Sequence, residues 1–99
     1  MISVVAKIKA KAGQEEELKK IVTDTMTKVE DEEGTLVYRF HQNAGDPTEF
    51  LFFEVYKDQE SLGVHGQTDY FKAMGNAMKD MLDGAPEFGM YTEVARIKE

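Results

Sequence analysis

Two titratable residues in this chain stand where proton chemistry is possible. His65 lies in "YKDQESLGVHGQTDYFKAM" (residues 56–74), between a short helix and a second helix that opens on Tyr70 and Phe71. Glu54 lies in "EFLFFEVYK" (49–57), a run that is apolar on both faces apart from this one carboxylate. Imidazole, with an unperturbed pKa of ~6.5, suits the role of general base near neutrality. A carboxylate beside it can orient the ring, as in other base–orienter pairs. Tyr38, Tyr56 and Tyr70 offer hydroxyls to a substrate oxygen, and Phe52 and Phe71 offer pocket walls. A structural reading stands beside each role. His65 can close the helix break by bonding a backbone carbonyl, and Glu54 can pair with Lys7 or Arg39 on a neighbouring strand, since buried charges are normally paired. His41, two residues from Arg39 on a strand, reads as an exposed or interface residue.

Other chemistries find little support. The two histidines are 24 positions apart among scattered carboxylates, without metal-ligand spacing. "GVHGQ" lacks the Lys and the spacing of a phosphate loop. The absence of cysteine removes disulfides, thiolate nucleophiles and thiolate metal sites together. No Ser-His-Asp set can be assembled. A net charge of −7 with two arginines, Arg39 and Arg96, leaves no basic patch for nucleic acid and disfavours anionic membranes. No window approaches the ~18 consecutive apolar residues of a membrane span. The start, "MISVVAKIKAK", has neither an apolar leader core nor a cleavage signal, so the chain reads as cytoplasmic.

The elements that must position these side chains follow from periodicity. "ISVVAKIKA" (2–10) is a β-branched strand with Val4, Ala6, Ile8 and Ala10 on one face. Residues 11–34 change to a helical stripe of Leu18, Ile21, Val22, Met26 and Val29, with Glu15, Glu16 and Glu17 near the positive end of the dipole. The acidic run 30–33 reads as a solvated helix end before Gly34. Strands follow at 35–43 and 49–57, joined by the turn "AGDPT". Asp58 caps a short helix over 59–65, and Gly66 breaks it. Thr68 or Asp69 caps the next helix, whose stripe includes Met74, Met78 and Met81. That stripe reads as core packing, compatible with a pliable pocket wall at Met74. A last strand spans 90–98.

This order predicts one α+β domain over residues 1–99, a ferredoxin-like βαββαβ fold with a four-stranded antiparallel sheet and helices on one face. The apolar load on both faces of strands 35–43 and 49–57 then calls for a second copy stacked on the open face, a homodimer.

The chain resembles the antibiotic biosynthesis monooxygenase (ABM) domain family. The pieces that carry the resemblance are "KAGQEEEL" after the first strand, "EEGTLVYRF", and "FEVYKDQESLGVHGQTDYFKAM". Within them, Glu33 and Gly34, Glu54 and Tyr56, His65, Thr68, and Tyr70 with Phe71 fall in the family's order. Many relatives carry Trp where Tyr56 stands. The haem-degrading branch also uses an Asn on the first strand, and this chain lacks both; what remains resembles the quinol monooxygenase group and related proteins of unassigned activity. The resemblance implies a dimeric αβ barrel and an enzyme that needs neither metal nor flavin. In that chemistry the deprotonated substrate itself gives an electron to O₂. It implies a small aromatic or hydrophobic substrate, for which the residues read above offer His65 and Glu54 as the catalytic pair and a pocket drawn from Tyr38, Phe52, Tyr56, Tyr70, Phe71 and Met74.

Three functions are compatible with this pattern: a cofactor-independent monooxygenase of quinols or polycyclic phenols; an isomerase or lyase of a small carbonyl metabolite using the same His and Glu; and a non-catalytic dimer that binds a hydrophobic ligand. One fold hosts many functions, so the fold does not choose among them.

Overall fold

The computed structural model describes residues 1–98. Strand β1 (Ile2–Lys9) leads into helix α1 (Glu15–Val29). A hairpin of β2 (Thr35–Asn43) and β3 (Asp46–Tyr56) follows, then helices α2 (Gln59–Gln67) and α3 (Asp69–Met78), and strand β4 (Glu87–Tyr91). The sheet order is β2-β3-β1-β4 with every pairing antiparallel, which is the ferredoxin-like arrangement.

Register decides which side chains meet the helices, because residues directly opposite in an antiparallel pair share a face. Tyr38 pairs with Glu54, Glu54 with Val4, and Val4 with Met90, making one row across the sheet. Phe40, Phe52, Ala6 and Phe88 form the next row, and Phe50 pairs with Ile8 beyond it. Leu18 and Val22 of α1 and Met74 and Met78 of α3 close over these rows and bury Ile8, Phe50 and Phe52. Phe40 stacks on Phe50 at 5.1 Å between ring centroids. Each such side chain contributes about 1.5–3 kcal/mol when removed from water.

Lys7 and Arg39 pair with Leu51 and Phe53 on the opposite face. Glu54 therefore has no cross-strand partner in either cation, and its carboxylate points to the helix side. The open face carries Val5, Leu51, Phe53 and Val37, all partly exposed.

The element ends depart from expectation at three places. Gly66 does not break α2, which runs to Gln67. The break is made by Thr68, which ends α2 and caps α3 at once, its Oγ1 accepting from the Phe71 N–H at 3.3 Å. The hairpin turn is only Ala44–Gly45, and Asp46, Pro47 and Thr48 already belong to β3. The last strand covers 87–91 rather than 90–98, because β1 starts at Ile2 and its pairing with β4 ends at Ser3–Tyr91. Asp58 caps α2 as expected, accepting from the Ser61 N–H at 2.8 Å. Among the described residues no helix is long and apolar enough to cross a membrane.

Candidate active site

Helix α2 presents His65 inward, where it is 3% exposed. Its ring packs among Tyr38 from β2 (5.4 Å), Tyr56 from β3 (5.4 Å) and Phe71 from α3 (4.9 Å). The His65 carbonyl is bonded by the Thr68 N–H and hydroxyl, so the helix break is closed by Thr68, and the imidazole is free for other contacts.

Those contacts come from Glu32, in the turn after α1. The His65 Nδ1 lies 2.9 Å from Glu32 Oε1 and 3.1 Å from Oε2. The Thr35 hydroxyl donates to Oε1 at 2.6 Å, and the Tyr70 hydroxyl donates to Oε2. Glu32 is thus turned in beneath α2 and α3, not solvated with its neighbours. Local geometry explains this. The Glu30, Asp31 and Glu32 N–H groups bond Met26, Lys28 and Val29 carbonyls, so the helical winding continues past Val29. Three residues on from buried Val29, Glu32 extends the buried stripe of α1. Gly34 lets the chain follow, because a Cβ there would lie 2.3 Å from the Ser61 Cβ.

On its other edge the His65 ring carries Nε2, which is buried and has no hydrogen-bond partner among the described residues. A buried nitrogen without a partner is rare and calls for a ligand or a chemical role. His65 and Glu54 are part of the wall of an apolar cavity of about 630 Å³ between the sheet and helices α2 and α3. Tyr38, Phe52, Phe71 and Met74 line it, as do Met78 and Phe88. Of the six residues expected to form a pocket, these four do; Tyr56 and Tyr70 do not. Tyr56 is wholly buried and donates to Glu54 Oε1 at 2.5 Å. Tyr70 stands behind His65, on an acidic surface depression that it shares with Glu32.

The electrostatics follow from burial. Glu54 is 7% exposed, and desolvation raises its carboxyl above the usual range against the opposing pull of the Tyr56 hydrogen bond and of His65. Desolvation, with Glu54 and Glu32 nearby, also raises the hydroxyls of Tyr38 and Tyr56, keeping them as proton donors. Tyr70 is pushed up to about 12 by desolvation and by its bond to Glu32. Glu54 does not hydrogen-bond His65, so the expected orienting pair is replaced by Glu32 and His65. No group of three or more His, Cys, Asp or Glu among the described residues is placed to hold a metal ion. His41 is exposed at the far end of β2.

The family profile of antibiotic biosynthesis monooxygenases matches residues 1–77, which include His65, Glu54 and Glu32. The chain belongs to this family. A candidate ABM protein from Caulobacter crescentus is 35% identical and superposes with a TM-score of 0.90 over 95% of this chain and 90% of that one. A conserved protein from Methanosarcina mazei is 29% identical, with a TM-score of 0.87 over 91% and 89% of the two chains. An uncharacterised protein of Synechocystis is 30% identical over 90 residues, 91% of this ABM chain; the match spans 61% of the Synechocystis protein's own length.

Proposed function

We propose that this ABM protein is a cofactor-independent monooxygenase of quinols or polycyclic phenols. The observation that carries the reading is the buried, unpartnered Nε2 of His65, on a ring that forms part of the wall of a largely apolar cavity. A cavity of about 630 Å³ lies within the ~300–1,000 Å³ typical of small-molecule sites and suits a flat aromatic of two or three rings. Nε2 takes the phenolic proton as general base. The phenolate gives one electron to O₂, and the two radicals combine at a ring carbon to form a peroxide, which His65 protonates. Loss of water and of the ring C–H proton leaves the quinone. The balance is phenol plus O₂ to quinone plus water, so the substrate supplies all the electrons. Tyr38, held protonated beside the ring of His65, donates in this reading to the substrate oxygen, a contact that strengthens as charge develops there.

O₂ uptake by metal-stripped protein across a panel of quinols and hydroxylated polycyclic aromatics tests this. The expected result is uptake above buffer that survives chelator and falls roughly 100-fold in His65→Ala, the usual worth of a positioned base. No uptake with any member of the panel would sink the reading.

The assembly proposed is a homodimer formed through the open sheet face. Val5, Leu51, Phe53 and Val37 form an apolar patch there that the chain's own helices cannot reach. Val94 and Ile97, 98% and 87% exposed beyond β4, add apolar surface that a second copy would cover.

A further inference from the structure

We infer that Glu32 is the positioning residue of the site: it fixes the tautomer of His65, so that Nδ1 carries the proton and Nε2 presents its lone pair to the substrate. This deepens the oxygenase reading by naming what prepares the base, but its structural core stands apart from any turnover.

The Thr35 and Tyr70 hydroxyls both donate to Glu32, one to each oxygen, and His65 Nδ1 lies within hydrogen-bond distance of both oxygens. A carboxylate met by three groups in this way accepts from all of them and offers no proton in return. The Nδ1 facing it must therefore be N–H, and in a neutral imidazole that leaves Nε2 as the acceptor. Side-chain exposures of 4% for His65 and 9% for Glu32 leave water little part in the contact.

The groups around the ring agree with this assignment. Tyr38 on β2 and Tyr56 on β3 contact it through their rings. Phe71 on α3 brings no polar atom. Glu54 is engaged by the Tyr56 hydroxyl. Among the described residues no acceptor is in place to hold a proton on Nε2. When Nε2 takes a proton from substrate, the imidazolium forms against a carboxylate already in contact with its other edge, so no side chain has to move as charge develops.

Nitrogen NMR of ring-¹⁵N-histidine protein reads the tautomer without any substrate. His41→Gln assigns the two rings, since His41 lies outside the site. At the alkaline end of the stable range, the wild-type His65 should show a protonated Nδ1 and a bare Nε2. Glu32→Gln keeps size and an acceptor oxygen but adds a donor NH₂, so Nδ1–H is no longer enforced. The two nitrogen signals should move toward each other, and kcat should fall roughly 100-fold with KM changed less than about threefold. Glu32→Asp, which keeps the charge, should retain the wild-type tautomer and recover part of kcat, and it stands in if Glu32→Gln does not fold. A wild-type ring protonated on Nε2 overturns the inference. So do unchanged nitrogen signals in Glu32→Gln. A wild-type protein without oxygenase activity but with the expected nitrogen signals would sink the oxygenase reading and leave Glu32 as the positioning residue.

Discussion

At the scale of single residues, burial controls the site's charges. Glu54 has its carboxyl raised above the usual 4.5 by desolvation. The folded protein therefore binds this proton more tightly than the unfolded chain. Stability from this group is fully present below about 4.5 and is lost as pH rises through the raised value. In Glu54→Gln the amide still accepts from Tyr56, so that loss should vanish: the variant should be at least as stable as wild type at pH 8, with a flatter pH dependence in urea titrations. Tyr38, Tyr56 and Tyr70, three of the four, are raised above 10.0. Tyrosinate absorbance of the native protein at pH 10 should therefore fall well below the amplitude seen in denaturant. Glu54 is legible in the sequence as the one carboxylate of the otherwise apolar run 50–56, and His65 as one of two histidines, set between a short helix and an aromatic helix start. Glu32 is not, because a carboxylate inside the run Glu30–Glu33 looks like its solvated neighbours. The available signal was its spacing, three residues past Val29 on the buried stripe of α1.

At the scale of elements, two junctions hold the site together. Gly34 passes against Ser61 of α2, with the Lys57 N–H bonding its carbonyl at 2.8 Å. Its backbone conformation is open to any residue; space is what requires glycine. Gly34→Ala should cost at least about 2 kcal/mol in denaturant unfolding, the scale of overpacking in a tight contact, and should displace Glu32 from His65. Thr68 joins α2 to α3 by accepting from the Phe71 N–H and donating to the His65 carbonyl. Thr68→Ala should cost about 1 kcal/mol, the usual worth of an N-cap. Periodicity placed every helix and strand, while their ends were less legible. Gly66 reads as a breaker, yet a helix tolerates an isolated glycine at modest cost, and the Thr68 cap sets the boundary. The last strand was placed too late because apolar residues recur through Ile97, whereas pairing stops where β1 begins.

At the scale of the molecule, a sheet with helices on one face leaves the other to be covered. The sequence made this visible in β3, apolar on both faces, because only one of its faces meets α1 and α3. If a second copy covers the open face, sedimentation should show a dimer at micromolar concentration, and Phe53→Arg should shift it to monomer while the isolated fold keeps its circular dichroism. The cavity lies on the helix side, lined by this chain's own sheet and helices. Isotope labelling follows the oxygen atom through that cavity. Turnover under oxygen-18-labelled O₂, followed by mass spectrometry of the product, should place one labelled atom in the quinone, with the signal lost in His65→Ala. A product formed without label, or formed equally well without oxygen, would contradict the account.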